Sequence, residues 1–267
     1  MSFVSFVVQL LFSSASSASS AVRGSVFLGA LASWRLICVA PVVLCLASAV
    51  FAASIAVDVG HHLAKPGVIS ARGVTEFEYN LQLAREVSET LRRAGHKTLL
   101  IGDDGLAEDL GKRAPRAAGM DLFISIHHDS VQPRFLSAWE HEGQVQSYSD
   151  LFSGFSVFVS RINSHLEPSL KCASAIGAAL QRAGFRPSRY HADPIVGENR
   201  PFADEANGVH YFDNLAVLKT ATIPALLFEA GVIVNRDEEL RMRDPAVRAR
   251  IGGSIAAAVG ICLNRQD

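Results

Sequence analysis

Along the chain, short apolar runs with strand-like spacing alternate with longer stretches in which apolar residues recur at helical intervals. Strands are predicted over residues 55–58, 98–101, 122–126, 155–159, 215–218 and 225–228, and helices over 76–94, 106–118, 168–183 and 245–263. Thr75 followed by Glu78 has the form of a capping box, and Gly95 fits the stop of the same helix. Strand–helix alternation of this kind predicts one α/β domain. Its core is a central, mostly parallel twisted sheet of about six strands, with helices on both faces. Two long segments, 130–154 and 185–214, carry no clear period. They read as walls or lids of a binding groove, or as stretches holding short unrecognised elements.

Composition changes this picture at the amino end. Residues 1–52 contain Arg23 and Arg35 as their only charges, whereas all 26 acidic residues and all nine histidines follow. Arg35 precedes the apolar run 36–50, and Val50-Phe51-Ala52 offers small residues where a signal peptidase reads, which predicts a leader over 1–52 cleaved near Ala52. An uncleaved anchor is the competing reading; the run is shorter than the ~20 residues a spanning helix needs. The Ser-rich stretch before Val22 has no basic residue and points to a misassigned start. Residues 53–267 then form the catalytic domain, exported to the periplasm or cell envelope, with no stable membrane span. Without the leader the formal charge is −3, so capture of nucleic acid or of an anionic membrane is not expected. Cys172 and Cys262 remain, and burial as two small hydrophobes is the expectation, with pairing left open.

Three predicted strands end in residues able to bind metal or move a proton. The first runs into Asp58-Val59-Gly60-His61-His62, the third into Ser125-Ile126-His127-His128, and the last into Phe228-Glu229-Ala230-Gly231. Ligands gather beyond the carboxyl ends of strands in open α/β sheets. A catalytic zinc takes three protein ligands and leaves a position for water, so two histidines plus the carboxylate of Glu76, in the first turn of the first helix, form a candidate set. Glu229, off the metal, is a candidate general base. His62 and His128 compete with their neighbours, and strand parity does not decide between them.

These residues fall where the zinc-dependent N-acetylmuramoyl-L-alanine amidases of the bacterial cell wall carry their motifs, and residues 55 to about 240 resemble that family. Its opening Asp-Pro-Gly-His-Gly is matched by Asp58-Val59-Gly60-His61-His62, and its helix-starting Glu with Asn four residues on by Glu76 and Asn80. Its Ser-Ile-His-Ala-Asn is matched by Ser125-Ile126-His127-His128-Asp129; Asn163 and Ser169 then lie in the expected neighbourhood. The closing motif is matched by 224–231, followed by Asn235. Val59, His62, Phe77, Val232 and Val234 depart from the family pattern. A differently shaped first loop follows from these changes, in which His62 either contacts substrate or, on the preferred reading, points to solvent.

The resemblance implies one Zn²⁺ held by His61, Glu76 and His127, Glu229 as base, and cleavage of the amide joining N-acetylmuramic acid to L-alanine of the peptidoglycan stem. Asn80, Asn199 and Arg200 are candidate substrate contacts. Some relatives plug the site with an acid on the metal, which makes Glu140 and Glu142 of Trp139-Glu140-His141-Glu142 a candidate regulatory lid; a solvated loop is the alternative. Peptidoglycan is the expected partner, with a protein activator as a further one. A zinc peptidase cutting inside the stem, and a non-catalytic wall-binding or activator protein of the same fold, are the competing functions.

Overall fold

The computed structural model describes residues 52–107 and 109–264, so the expected leader lies, except for Ala52, outside the described residues. The strands are β1 (Ser54–Val59), β2 (Lys97–Ile101), β3 (Leu122–Asp129), β4 (Ser137–His141), β5 (Gln144–Tyr148), β6 (Ser156–Val159), β7 (Phe202–Asp204), β8 (Val209–Tyr211) and β9 (Ala225–Val232). The helices are α1 (Glu76–Arg93), α2 (Leu110–Arg113), α3 (Leu166–Arg182), α4 (Ala216–Lys219), α5 (Arg236–Arg243) and α6 (Pro245–Cys262).

Seven strands form one sheet in the order β2-β1-β3-β9-β6-β8-β7, and β4 and β5 make a separate hairpin. Pairing is parallel for β1 with β2 and β3, β3 with β9, and β6 with β8; β6 meets β9 and β7 meets β8 antiparallel. The chain leaves β1 for β2 on one side and returns to β3 on the other, so β1 and β3 flank a topological switch point, where such sheets open a crevice.

Side-chain alternation decides the two faces. Val57 and Val59 of β1 with Ile124 and Ile126 of β3 pack under α1, α3 and α6. Ala56, Phe123 and Leu227 point the other way, onto Ala114, Val217 and Leu218 beside α2 and α4. Helices therefore cover both faces, long on one and short on the other. Thr75 caps α1 as expected, with the Glu78 side chain on its hydroxyl rather than on its amide: Thr75 Oγ1 accepts from the Glu78 amide at 3.4 Å and donates to Glu78 Oε1 at 3.1 Å. Gly95, at φ +91°, ends that helix.

Several expected elements change. The run 215–218 is a turn of helix, α4, because it lies on the sheet's face with no strand beside it. Its backbone bonds internally instead, Lys219 to Leu215 O at 3.0 Å and Thr220 to Ala216 O at 3.1 Å. The helix expected over 106–118 shortens to α2 and a 3₁₀ turn, Ala114–Ala117, where Pro115 lacks the amide a continuing helix would use. The unassigned segments hold short elements, the β4–β5 hairpin and the β7–β8 pair. Polar α5 was not expected at all; Asn235 caps it, accepting from the amides of Asp237 and Glu238 at 3.1 and 3.0 Å.

Cys172 and Cys262 are not separate buried thiols: they form a disulfide tying α3 to α6 across 90 residues of sequence. A loop of that length lowers the entropy of the unfolded chain, stabilising the fold by about 4 kcal/mol. The Cys172→Ala/Cys262→Ala variant is expected to melt on the order of 10 °C lower, as read by calorimetry; an unchanged melting temperature would contradict a stabilising bond.

Candidate metal centre and active site

The carboxyl edge of the sheet carries a row of chemistry set by register. Gly60 donates its amide to Ile126 O at 2.9 Å, which places the β1 loop beside His127, and His127 is paired in turn with Glu229 across β3 and β9. On β3, His128 shares the parity of Ile124 and Ile126 and turns under α1, where its ring lies against Tyr79 and Asn80. His127 takes the opposite parity, which separates the two. Glu76 completes the convergence from the first turn of α1. Its Oε2 lies 2.9 Å from His61 Nε2, and its Oε1 lies 3.0 Å from His127 Nδ1.

One ligand atom from each of the three falls within 4.8 Å of the others, the spacing of a set able to hold a metal ion. Two imidazoles and a carboxylate suit zinc, whose tetrahedral ligands at ~2.0–2.1 Å stand roughly 3.3 Å apart. Burial alone would raise the Glu76 pKa, but hydrogen bonds and charge from His127 and His61 hold it well below the usual carboxylate range. The acid is therefore ionised and ready to bind a cation.

A second layer fixes these three side chains. His61 adopts φ +65°, a left-handed conformation that strains any residue with a Cβ. The buried Arg113 holds it there: the guanidinium bonds the carbonyls of His61 and Val59, and pairs with Asp58 at 2.9 Å. Ser125 donates to the other Asp58 oxygen at 2.7 Å. Gly60 allows close approach, since a Cβ there would sit 2.4 Å from the His127 ring. Asn80, expected as a substrate contact, is fully buried in this structure. Its Nδ2 donates to Gly60 O and to Glu76 Oε1, each at 3.1 Å, and its Oδ1 faces His128 Nδ1 at 2.8 Å. With Nδ2 fixed as the donor, His128 Nδ1 carries the proton. Burial lowers the His128 pKa to about 3, so this ring stays neutral.

Glu229 lies at the edge of a cleft of about 310 Å³ lined also by Asp129, Tyr190, His191, Glu198, Arg200 and Phe212. Its Oε2 is buried without a hydrogen-bond partner among the described residues. Burial first, then the charges of Asp129 and Glu76, raise its pKa well above the usual range, with Arg200 pulling the other way. A smaller recess of about 100 Å³, mostly apolar, lies on the other side, between His61, His127, Leu110 and Leu215.

Of the remaining expected residues, Arg200 reaches the cleft. Exposed Asn199 sits at φ +58° and shapes the turn before it, its amide bonding Asp193 O at 2.9 Å. The structure does not bring Glu140 or Glu142 to the metal ligands: both are exposed on the β4–β5 hairpin, which stands on the loop 71–73 through Trp139 Nε1 to Ala71 O at 2.8 Å. His62 is not in solvent either. It is 4% exposed, and its Nδ1 finds no partner among the described residues. His191 is the residue that sequence reasoning missed, because it sits in a polar loop whose only signal is its length.

Residues 55–260 match the Amidase_3 family, described as N-acetylmuramoyl-L-alanine amidase. The chain belongs to this family. The amidase AmiC of Neisseria meningitidis is 26% identical over 234 residues, which cover 79% of this chain and 52% of AmiC. The chain thus spans about half the length of the curated relatives it matches. Among solved structures, the amidase Ami1 of Mycobacterium smegmatis superposes with a TM-score of 0.62 at 20% identity, covering 80% of this chain and 98% of Ami1. The CwlD amidase of Clostridioides difficile, solved in complex with the GerS lipoprotein, gives 0.56 at 18% identity, covering 79% and 98%. At those identities the structures support the fold.

In this amidase-family chain, the family's Ser-Ile-His-Ala-Asn ends instead in Asp129, which bonds His191 Nε2 at 2.6 Å. Glu198 bonds His191 Nδ1 at 2.8 Å. Carboxylates only accept, so both bonds require a doubly protonated ring. Burial opposes that charge, but Asp129 foremost and then Glu198 raise the His191 pKa to about 9. A raised histidine pKa stabilises the fold below the unfolded value near 6.5 and loses that contribution as pH climbs through about 9. Between those limits wild-type stability is expected to fall by up to about 3 kcal/mol. His191→Gln should flatten that slope in denaturant titrations at pH 6.5 and 9.5. An equal slope in both proteins would show that His191 is not the charged member.

Proposed function

We propose that this chain is an exported, zinc-dependent N-acetylmuramoyl-L-alanine amidase that cleaves the amide between N-acetylmuramic acid and L-alanine in peptidoglycan. The observation that carries the reading is the convergence of His61, Glu76 and His127 beside Glu229, whose Oε2 has no hydrogen-bond partner among the described residues. A zinc ion held by those three ligands would polarise the scissile carbonyl and acidify the attacking water. Glu229 removes the water proton and returns it to the departing L-alanine nitrogen. A carboxyl group whose proton affinity is raised by burial and by Asp129 and Glu76 is well suited to both steps. Asn80 and Arg113 keep Glu76 and His61 aimed, and the apolar recess beside His61 excludes water from one side of the bond.

Export rests on two observations. The charge-poor leader has the composition of a secretory signal, and the Cys172–Cys262 disulfide belongs to an oxidising compartment. No described helix is long and apolar enough to cross a membrane. A protein activator is a further partner of this reading; the neighbouring CwlD amidase was solved with a lipoprotein bound.

Digestion of purified sacculi, followed by mass analysis of the products, tests the reaction. The zinc-loaded protein is expected to release intact stems bearing a free L-alanine amine. Glu229→Gln should keep its zinc and lose roughly 10²- to 10⁴-fold in rate. Cuts inside the stem would replace the amidase by a peptidase, and release at the wild-type rate by Glu229→Gln would remove Glu229 as the base.

A further inference from the structure

Glu239, in α5, is fully buried, and three donors from residues 70–79 end on its carboxylate. Ser70 Oγ donates to Oε1 at 2.7 Å, Tyr79 Oη donates to the same oxygen at 2.9 Å, and Arg72 Nη1 donates to Oε2 at 2.7 Å. Burial first, then the Glu239 charge, raises the Tyr79 pKa, so the phenol keeps the proton it donates. A buried ion pair is weak evidence of stability by itself, because apolar side chains of similar volume often serve a fold as well. What this carboxylate fixes is position: its three donors all belong to the segment that runs past Glu76.

We propose that Glu239 is a positioning residue for the metal centre: it clamps residues 68–76 and the start of α1, so that Glu76 and His61 present their ligand atoms to zinc at a fixed spacing. This rests on the zinc site of the amidase reading. The links from clamp to ligands are short. Two residues before Ser70, the Val68 amide donates to Glu76 Oε2 at 3.3 Å, and Val68 O accepts from the Glu76 amide at 2.8 Å. Ser70 closes the same hairpin, donating its amide to Val74 O at 2.8 Å and accepting from the Val74 amide on its hydroxyl at 3.0 Å. Gly67, just before the hairpin, lies directly on the ligands; a Cβ there would sit 2.3 Å from Glu76 Oε2 and 2.8 Å from His61 Cδ2. A shift of this segment is therefore felt by both. Tyr79 adds a second hold within one turn of Glu76, its ring 5.5 Å from that of His128, which shares Asn80 with Glu76. On the other side, α5 is fixed to the strand that carries Glu229. Glu238 accepts from the Val232 amide at 2.8 Å, and the Ala71 amide donates to Ile233 O at 2.9 Å. Glu239 thus references the ligand segment to β9 across the sheet edge.

The zinc affinity of the metal-stripped protein, measured by competition with a chromogenic chelator well below the melting temperature, tests this. Glu239→Gln matches the side chain's volume but turns an N–H onto either Arg72 or the two hydroxyls, and should weaken zinc binding roughly tenfold or more. Tyr79→Phe removes one bond while Ser70 and Arg72 keep theirs, and should weaken binding about threefold. The Cys172→Ala/Cys262→Ala variant controls for stability alone: its lost bond joins α3 to α6, so it should melt lower with its zinc affinity unchanged. Wild-type zinc affinity in Glu239→Gln and Tyr79→Phe would overturn the proposal, and so would an equal loss in the disulfide variant. If Glu239→Gln does not fold, Tyr79→Phe decides in the same way. Absence of stoichiometric zinc binding by the wild type would contradict the zinc reading of the site, and this inference with it.

Discussion

A single buried carboxylate organises this molecule's chemistry. Glu76 spans from His61 at 2.9 Å to His127 at 3.0 Å, joining two strand ends that the sheet order brings side by side. An ionised acid at 3% exposure is expensive to desolvate, and its two imidazole partners, together with donors from Asn80 Nδ2 and the amides of Val68 and His128, make it tolerable. The surrounding structure is arranged around that bridge. α1 begins at Glu76, so the Thr75 cap fixes the helix start and the ligand position together. Arg113 keeps His61 in its strained conformation, Asn80 fixes one Glu76 oxygen, and Gly60 clears space for the His127 ring.

The cleft beyond His127 follows a different electrostatic rule. There Asp129 and Glu198 enclose a charged His191, a compensated group that binds the loop after α3 to the end of β3. Glu229 has only the charge of Arg200 to offset its burial and the charges of Asp129 and Glu76, and its proton affinity rises. One edge of the site is thus held by matched charges while its centre keeps a carboxyl group unmatched. That contrast separates residues that build the wall from a carboxyl group left without a hydrogen-bond partner among the described residues.

Much of this was legible in the sequence. Apolar strands breaking into His61, His127 and Glu229 pointed to one sheet edge, and Thr75 with Glu78 marked where α1 begins. The order of motifs selected His61 and His127 from their pairs; in the structure, strand parity supplies the reason for His127. What was hidden depended on tertiary context. Residues 215–218 form a run too short to separate strand from helix, and only their place on the sheet's face decides. Asn80 matches a family position but is buried behind the ligands, and a match in sequence does not distinguish touching substrate from holding a carboxylate. The Cys172–Cys262 bond joins residues 90 apart, which neither helix pattern could bring together. His191 lies in a loop with no period, so nothing before the fold placed it against Asp129.

The most direct measurement of the central claim is calorimetric titration of Zn²⁺ into the metal-stripped protein. One ion should bind per chain, Glu76→Ala should weaken that binding by at least a hundredfold, and Asp129→Asn should leave it nearly unchanged. Absence of a stoichiometric site, or undiminished affinity in Glu76→Ala, would contradict the account.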